Sequence, residues 1–263
     1  MIRVAIIGCG NIGTELALFL KDDKRFSLAA INDIDPKSFF HLSKKLHRKF
    51  PLLTINDAVK KADLIIEAAG KETVKEILEC KELDMEGKHL LVMSTGGLAE
   101  NFSLMKKIKQ CGIHIPSGAI AGLDAIHAVR GNIKSLSLTT TKSAAGLKNA
   151  PYVLLNKIEL DEITSGEKIF EGNLHEAIRG FPQNINVAAS LFLASHFRRI
   201  KISIIADAKT KFNTHEIVCR GSFGEIHTTT KNLPSKNPKT SYLAILSAMA
   251  VVKNIVSKIS FGN

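Results

Sequence analysis

Short apolar runs alternate with helical patterns through the first half of the chain. Such alternation is typical of βαβ units, in which crossover helices join parallel strands. The pattern predicts strands at residues 3–7, 27–32, 63–68, 89–93 and 113–116. It predicts helices at residues 11–19, 36–48, 71–80 and 100–111. Because continuous apolar strands suit a sheet covered on both faces, we expect a doubly wound parallel sheet in this half.

From about residue 130 the pattern changes to longer alternations that carry Thr and Ser, at residues 133–141, 199–206, 214–219 and 225–229. The sequence GSFG at 221–224 predicts a hairpin, so we expect a mixed or antiparallel sheet. Helices at 173–179 and 186–196 would cover one face, and an apolar helix runs from 241 to about 256. The chain is therefore predicted to be α/β, with a parallel domain over 1–117 and a second α/β domain over 118–238. The C-terminal segment 239–263 is expected to pack back on the first domain.

Composition narrows the class of protein. The chain has 263 residues, of which 45% are apolar and 23% charged, as in globular proteins. It begins in a strand pattern and contains no apolar run near the ~20 residues that span a bilayer, so we expect no signal peptide and no membrane contact. Four widely separated cysteines without a CxxC pair argue against disulfides and a metal site. A cytoplasmic protein is expected.

The formal charge of +11 raises the question of nucleic-acid binding. The lysines are spread over most of the chain, and aromatic residues make up 6% with no tryptophan. Nucleic-acid binding usually needs a concentrated basic patch or a stacking platform. We therefore expect no nucleic acid, and a small anionic substrate fits the charge equally well.

A GxGxxG motif lies between the first predicted strand and the first predicted helix. The spacing of Gly8, Gly10 and Gly13 suits a tight turn, backbone approach to a pyrophosphate and close packing of helix on strand. A bare match is as often a simple glycine turn, but this context predicts a Rossmann dinucleotide site. We assign cofactor contacts to Gly8, Gly10, Asn11, Ile12 and Gly13.

An acidic residue follows at the distance that such a site requires. Asp33 lies twenty residues after Gly13, at the end of the second strand, where a carboxylate can accept hydrogen bonds from the adenosine ribose. It would repel a 2′-phosphate, and Ile34 follows in place of an arginine, so NAD is favoured while NADP stays open. Alternatively Asp33 is a turn former before Pro36, a role that Asp35 fills more naturally.

Small residues end the next two strands. Ligands of open parallel sheets gather at the carboxyl ends of the strands. Ala68, Ala69 and Ser94 are therefore predicted to border the nicotinamide half of the cofactor, and ordinary strand-to-helix turns are the alternative at each position.

Several segments together resemble the L-aspartate dehydrogenase family. They are VAIIGCGNIG at 4–13, SGAIAGLD at 117–124, FPQNINVAA at 181–189, NTHEI at 213–217 and NPKTS at 237–241. The resemblance implies NAD(P)-dependent oxidation of L-aspartate to iminoaspartate, feeding NAD biosynthesis through quinolinate. It also implies that the second domain is catalytic and that its sheet helps to build a homodimer.

The resemblance implies roles for individual residues as well. The family's catalytic histidine falls on His215, and its nicotinamide-side contacts fall on Ala119, Ala121 and Asn186. A histidine suits proton transfer because its unperturbed pKa of ~6.5 lies close to neutral pH. The alternative for His215 is a structural role, which is the ordinary one for any of the nine histidines taken without its motif. The alternative for one of Asn184 and Asn186 is that it caps the helix that follows.

Other assignments stay open. Lys142 and Lys239 are candidate partners for the substrate carboxylates, although a solvated lysine is the ordinary interpretation of each. The family often has Asp-Arg where this chain has Asp33 and Ile34, which puts NADP use in doubt. The alternatives to aspartate oxidation are an enzyme like homoserine dehydrogenase or dihydrodipicolinate reductase, or a non-catalytic NAD-binding regulator.

Overall fold

A computed structural model describes residues 1–182, 185–235 and 240–259. The chain divides into two compact units. One consists of Met1–Pro116 with residues 245–259, and the other of Ser117–Ala244. Among the described residues, no helix has both the length and the apolar character needed to cross a membrane.

The first unit is built on a parallel five-stranded sheet in the order β2-β1-β3-β4-β5. Its strands are β1 (Ile2–Ile7), β2 (Phe26–Asn32), β3 (Leu64–Glu67), β4 (His89–Val92) and β5 (Gly112–His114). Its helices are α1 (Asn11–Lys21), α2 (Pro36–Lys45), α3 (Ile55–Lys61), α4 (Lys71–Glu79), α5 (Thr95–Glu100) and α6 (Phe102–Met105). The three central strands are almost wholly buried, which confirms the prediction of a parallel sheet covered on both faces.

In this unit one helix prediction differs from the structure, and one helix was not predicted. The helix predicted at 100–111 is wrong: α5 starts earlier, and the chain leaves helical geometry at Asn101, whose side chain donates to the carbonyl of Gly97. Helix α3 was not predicted from the pattern, because its seven residues are too short for a clear periodicity. Its start is nevertheless encoded by Thr54, whose hydroxyl accepts from the N–H of Asp57.

The second unit contains a mixed sheet, as predicted, in the order β10-β9-β6-β8-β7. Its strands are β6 (Ile133–Lys142), β7 (Glu167–Gly172), β8 (Lys201–Ala206), β9 (Asn213–Gly221) and β10 (Gly224–Asn232). β6 runs parallel to β8, and the other pairs are antiparallel. The hairpin between β9 and β10 is confirmed. Strand β7 was not predicted, because a bulge between Lys168 and Phe170 breaks its alternation.

Helices cover one face of this second sheet. They are α7 (Leu123–Ala128), α8 (Ala144–Leu147), α9 (Pro151–Leu155), α10 (Leu174–Gly180) and α11 (Asn186–Ser195). Alternate residues of β6, including Leu136, Leu138 and Thr140, are buried beneath that helical layer with the apolar side of α11. The last helix, α12 (Tyr242–Ile255), passes from the second unit into the first, where the ammonium of Lys253 lies 5.3 Å from the ring centre of Phe19.

Candidate active site

The glycine-rich turn joins β1 to α1. Gly8 has a φ of 101°, a conformation that favours glycine, and a Cβ there would collide with the peptide that joins Ala68 to Ala69. A Cβ on Gly13 would collide with the carbonyl oxygen of Gly8, so α1 packs directly against the turn. A Cβ on Gly10 would meet open space. The turn therefore combines a tight bend with an open approach to the N-terminus of α1, which suits a dinucleotide phosphate.

Asp33 lies beside this turn. Its Oδ2 accepts a hydrogen bond from the backbone N–H of Cys9 at 2.6 Å, and its Oδ1 accepts one from the N–H of Asp35 at 2.8 Å. Asp35 caps α2 and so fills the role that the alternative interpretation gave to Asp33. The side chain of Ile34 is fully exposed and offers no charge to a 2′-phosphate. Asp33 is thus a carboxylate held beside the glycine turn by two backbone N–H groups.

The other residues of the first unit that were predicted to contact the cofactor lie around the same edge of its sheet. Asn11 and Ile12 form the first turn of α1 and are half-buried. Ala68 and Ala69 follow β3, and Ser94 follows β4, which pairs with β3. The structure therefore brings these predicted residues together at the carboxyl ends of three adjacent parallel strands.

His215 lies in β9, on the helix-covered face of the second sheet. The register of β6 against β9 places it opposite Thr140, and the Nδ1 atom of His215 lies 3.0 Å from the Oγ1 atom of Thr140. On its other side, the register of β10 places Thr230 opposite His215. The imidazole is 2% exposed. This ring is thus held by a hydroxyl at one nitrogen and shielded from bulk water.

Lys142 adds a positive charge near this histidine. Burial, and to a smaller extent the charge of Lys142, lower the pKa of His215 to about 3. Burial also lowers the pKa of Lys142 to about 8. At neutral pH the imidazole is therefore uncharged, while the ammonium is still largely charged. This Lys142 is the residue that the sequence offered as a candidate carboxylate partner.

Thr140 and Lys142 line a pocket between the second sheet and its helices. The other eight residues of the lining are apolar, among them Leu138, Phe181 and Ile204. A hydroxyl and an ammonium in an otherwise apolar wall give such a pocket orientation-specific polar contacts. Its volume is about 10 Å³, which leaves room for about one water molecule.

The segment that contains Ala119 and Ala121 is held by side chains of β10. The hydroxyl of Thr230 and the amide nitrogen of Asn232 each donate to the carbonyl oxygen of Ala119, both at 2.8 Å. The hydroxyl of Thr228 donates to the carbonyl oxygen of Ala121 at 3.2 Å. Because Thr230 also lies opposite His215, this segment and the histidine are positioned by the same three neighbouring strands, β6, β9 and β10.

Asn186 is exposed in the first turn of α11. The cap position belongs to Ile185, which makes no side-chain capping bond, so of the two asparagines that were candidate caps Asn186 does not cap this helix. Asn184 and Lys239 lie outside the described residues.

Sequence reasoning missed two polar residues in these sites. Thr140 occupies an inward position of β6 among leucines, and a hydroxyl at such a position is the signal that could have identified it. Glu67 ends the apolar run of β3 and is fully buried, and an acidic residue inside such a run is a comparable signal. The bond between Thr140 and His215 and the bonds between Glu67 and Ser94 arise only when the strands pair.

Comparison with known proteins covers both units. Residues 124–255 match the family described as aspartate dehydrogenase, C-terminal, and residues 8–115 match the NAD binding domain of homoserine dehydrogenase. The first unit is therefore an NAD-binding Rossmann domain, which confirms the cofactor predicted from the glycine turn and Asp33.

Relatives of similar length are L-aspartate dehydrogenases. L-aspartate dehydrogenase of Methanosarcina barkeri is 38% identical and covers 100% of both chains. That of Nitrosopumilus maritimus is 38% identical and covers 98% of this chain and 97% of its own. The crystal structure of aspartate dehydrogenase from Thermotoga maritima has a TM-score of 0.74 at 25% identity and covers 100% of both chains. The resemblance noted in the sequence is thereby confirmed, and the chain belongs to the L-aspartate dehydrogenase family.

Proposed function

We propose that this chain oxidises L-aspartate to iminoaspartate with NAD, and that hydrolysis then gives oxaloacetate and ammonia. In the context of its family, the observation that carries the proposal is the buried imidazole of His215, bonded to Thr140 and kept neutral. Iminoaspartate would feed NAD biosynthesis through quinolinate. NADP is a weaker alternative, because Asp33 and Ile34 provide a carboxylate and an apolar side chain where a 2′-phosphate needs a cation.

In this proposal the first unit binds the cofactor. The glycine turn and the N-terminus of α1 hold the pyrophosphate, with Gly8, Gly10, Asn11, Ile12 and Gly13 as the contacts. Asp33 accepts from the ribose hydroxyls, and Ala68, Ala69 and Ser94 border the nicotinamide half. When bound, NAD accepts the hydride that leaves the substrate Cα.

The second unit supplies the proton acceptor. An α-ammonium must lose a proton before its nitrogen can form a double bond to Cα as the hydride departs. In the tautomer that carries its proton on Nδ1, His215 donates to Thr140, and the lone pair of Nε2 is then available to accept the substrate's proton. The same nitrogen can afterwards orient the water that attacks the imine. We assign Ala119, Ala121 and Asn186 to the nicotinamide side, as the resemblance implies.

The charge of Lys142 supports a dicarboxylate substrate. Lys142 places a buried ammonium on the same strand as Thr140, two residues away and on the same face of the sheet. A carboxylate beside Lys142 would offset the charge that disfavours protonation of His215. We infer that substrate binding raises the pKa of the imidazole by offsetting the smaller of the two causes that lower it, burial being the larger.

Assembly and location complete the proposal. We propose a homodimer built through the second sheet, whose face away from the helices carries half-exposed residues such as Thr139 and Val218. Light scattering on the purified protein tests this, and a monomer would refute it. We place the enzyme in the cytoplasm, where its four free cysteines would stay reduced.

The test of the activity is an initial-rate screen of NADH formation with L-aspartate, L-homoserine and L-alanine, each with NAD and with NADP. We expect L-aspartate with NAD to be faster than the other substrates by at least about ten-fold. Turnover of homoserine instead would favour the related-oxidoreductase alternative. NAD binding without amino-acid-dependent NADH would favour a regulator.

A further inference from the structure

Glu67 is a fully buried carboxylate at the end of β3 that the proposed reaction does not use. Its Oε1 accepts from the N–H groups of Ala69 and Gly70 and from the hydroxyl of Ser94, each at 2.9 Å. Its Oε2 accepts from the N–H of Ser94, also at 2.9 Å. All four partners donate, so the arrangement suits the ionised carboxylate, although burial raises the pKa of Glu67.

These bonds join two loops that are far apart in sequence. Ala69 and Gly70 belong to the connection from β3 to α4, and Ser94 belongs to the connection from β4 to α5. The main chains of β3 and β4 already pair up to Glu67 and Val92, and the carboxylate extends that link beyond the last paired residues. The two loops therefore keep one mutual arrangement through a single side chain.

The first of these loops also forms a wall of the glycine turn. The peptide that joins Ala68 to Ala69 lies so close to Gly8 that no Cβ fits between them. The N–H of Ala69, at the far end of that peptide, is one of the donors to Glu67. A shift of this loop would therefore change the shape of the turn that approaches the pyrophosphate.

We propose that Glu67 is a positioning residue of the dinucleotide site, and that its carboxylate holds the loops after β3 and β4 in the shape that receives the cofactor. Burying a carboxylate costs folding free energy, whereas burying an apolar side chain of similar size does not. Stability alone therefore does not explain why a glutamate occupies this position. The proposal rests on the use of NAD by this chain. It concerns a residue to which the reaction itself assigns no role.

The test is Glu67→Gln, with cofactor binding measured by calorimetry. The amide nitrogen of glutamine cannot accept the N–H of Ser94, so at least one of the four bonds is lost. We expect the Kd for NADH and the KM for NAD to rise by about ten-fold, or about 1.4 kcal/mol. We expect kcat at saturation and the KM for aspartate to change by less than about two-fold, because binding rather than the chemical step is affected.

A matched control separates positioning from stability. Ile77 is fully buried in α4 of the same unit and takes part in none of the four bonds of Glu67, so Ile77→Ala should lower the melting temperature without changing the Kd for NADH. If Glu67→Gln lowers the melting temperature but binds NADH as the wild type does, the proposal is overturned. If the wild type itself does not bind NADH, it is the proposed cofactor use that fails.

A second variant covers the case in which glutamine prevents folding. Glu67→Asp keeps the charge but is one methylene shorter, so its carboxylate cannot reach both loops at their present separation. We expect a weaker affinity for NADH than in the wild type with kcat retained. An unchanged affinity in a folded Glu67→Asp protein would overturn the proposal as well.

Discussion

The buried imidazole of His215 should make the stability of this protein depend on pH. Its pKa is about 3 in the folded chain, against ~6.5 for an unperturbed histidine in the unfolded chain. Between these values the unfolded state binds a proton that the folded state does not bind. The free energy of unfolding therefore falls as the pH falls through this window, and this contribution is fully present only above the unfolded pKa.

The magnitude follows from the width of the window that is crossed. When the pH is lowered from about 7 to about 5, roughly 1.5 pH units of the interval lie below the pKa of histidine in the unfolded chain. Each of these units lowers the free energy of unfolding by about 1.4 kcal/mol. We therefore expect His215 to account for a loss of about 2 kcal/mol over that interval. The side chain is 2% exposed, so solvent screening does little to reduce this value.

The assay is urea unfolding followed by circular dichroism at both pH values. His215→Asn removes the titrating group. Between the two pH values we expect the free energy of unfolding of this variant to fall by about 2 kcal/mol less than that of the wild type. His227→Asn, at an exposed position of the neighbouring strand β10, is the matched control and should behave as the wild type does. Selective labelling of histidine for NMR gives a second readout. A His215 resonance that titrates near the ordinary histidine pKa would refute the argument.

Two further predictions concern charge at the proposed sites. Asp33→Ser should raise the KM for NAD, because a ribose contact is lost, and lower the KM for NADP, because the carboxylate that repels a 2′-phosphate is gone. Initial rates with each cofactor test this. An unchanged ratio of the two KM values would mean that Asp33 does not contact the ribose. Lys142→Met removes a cation that lowers the pKa of His215, so the acid limb of the pH profile of kcat/KM should move to higher pH. An acid limb that stays in place would show that the charge of Lys142 does not reach the working imidazole.

The sequence predicts the first unit better than the second. Glycine spacing, apolar strands and an acidic residue after β2 are local signals, and each lies in the structure where the pattern placed it. Local signals failed where a single residue redirects the chain, as Asn101 does at the end of α5. They also failed where a bulge interrupts the alternation, as in β7.

The polar pairs of the two sites were beyond prediction for a physical reason. Thr140 and His215 are 75 residues apart, and their contact exists only because β6 and β9 align in one register. Glu67 meets Ser94 because β3 and β4 end at the same level. Register is a property of the assembled sheet. The sequence of a single strand can therefore indicate a buried polar residue but cannot identify its partner.

The central claim is that His215 accepts the proton when L-aspartate is oxidised. The most direct measurement is the rate of NADH formation from L-aspartate by His215→Ala, together with its Kd for NAD. We predict that turnover falls by about 100-fold or more while the Kd for NAD stays within about two-fold of the wild type. Turnover close to that of the wild type in this variant would contradict the account.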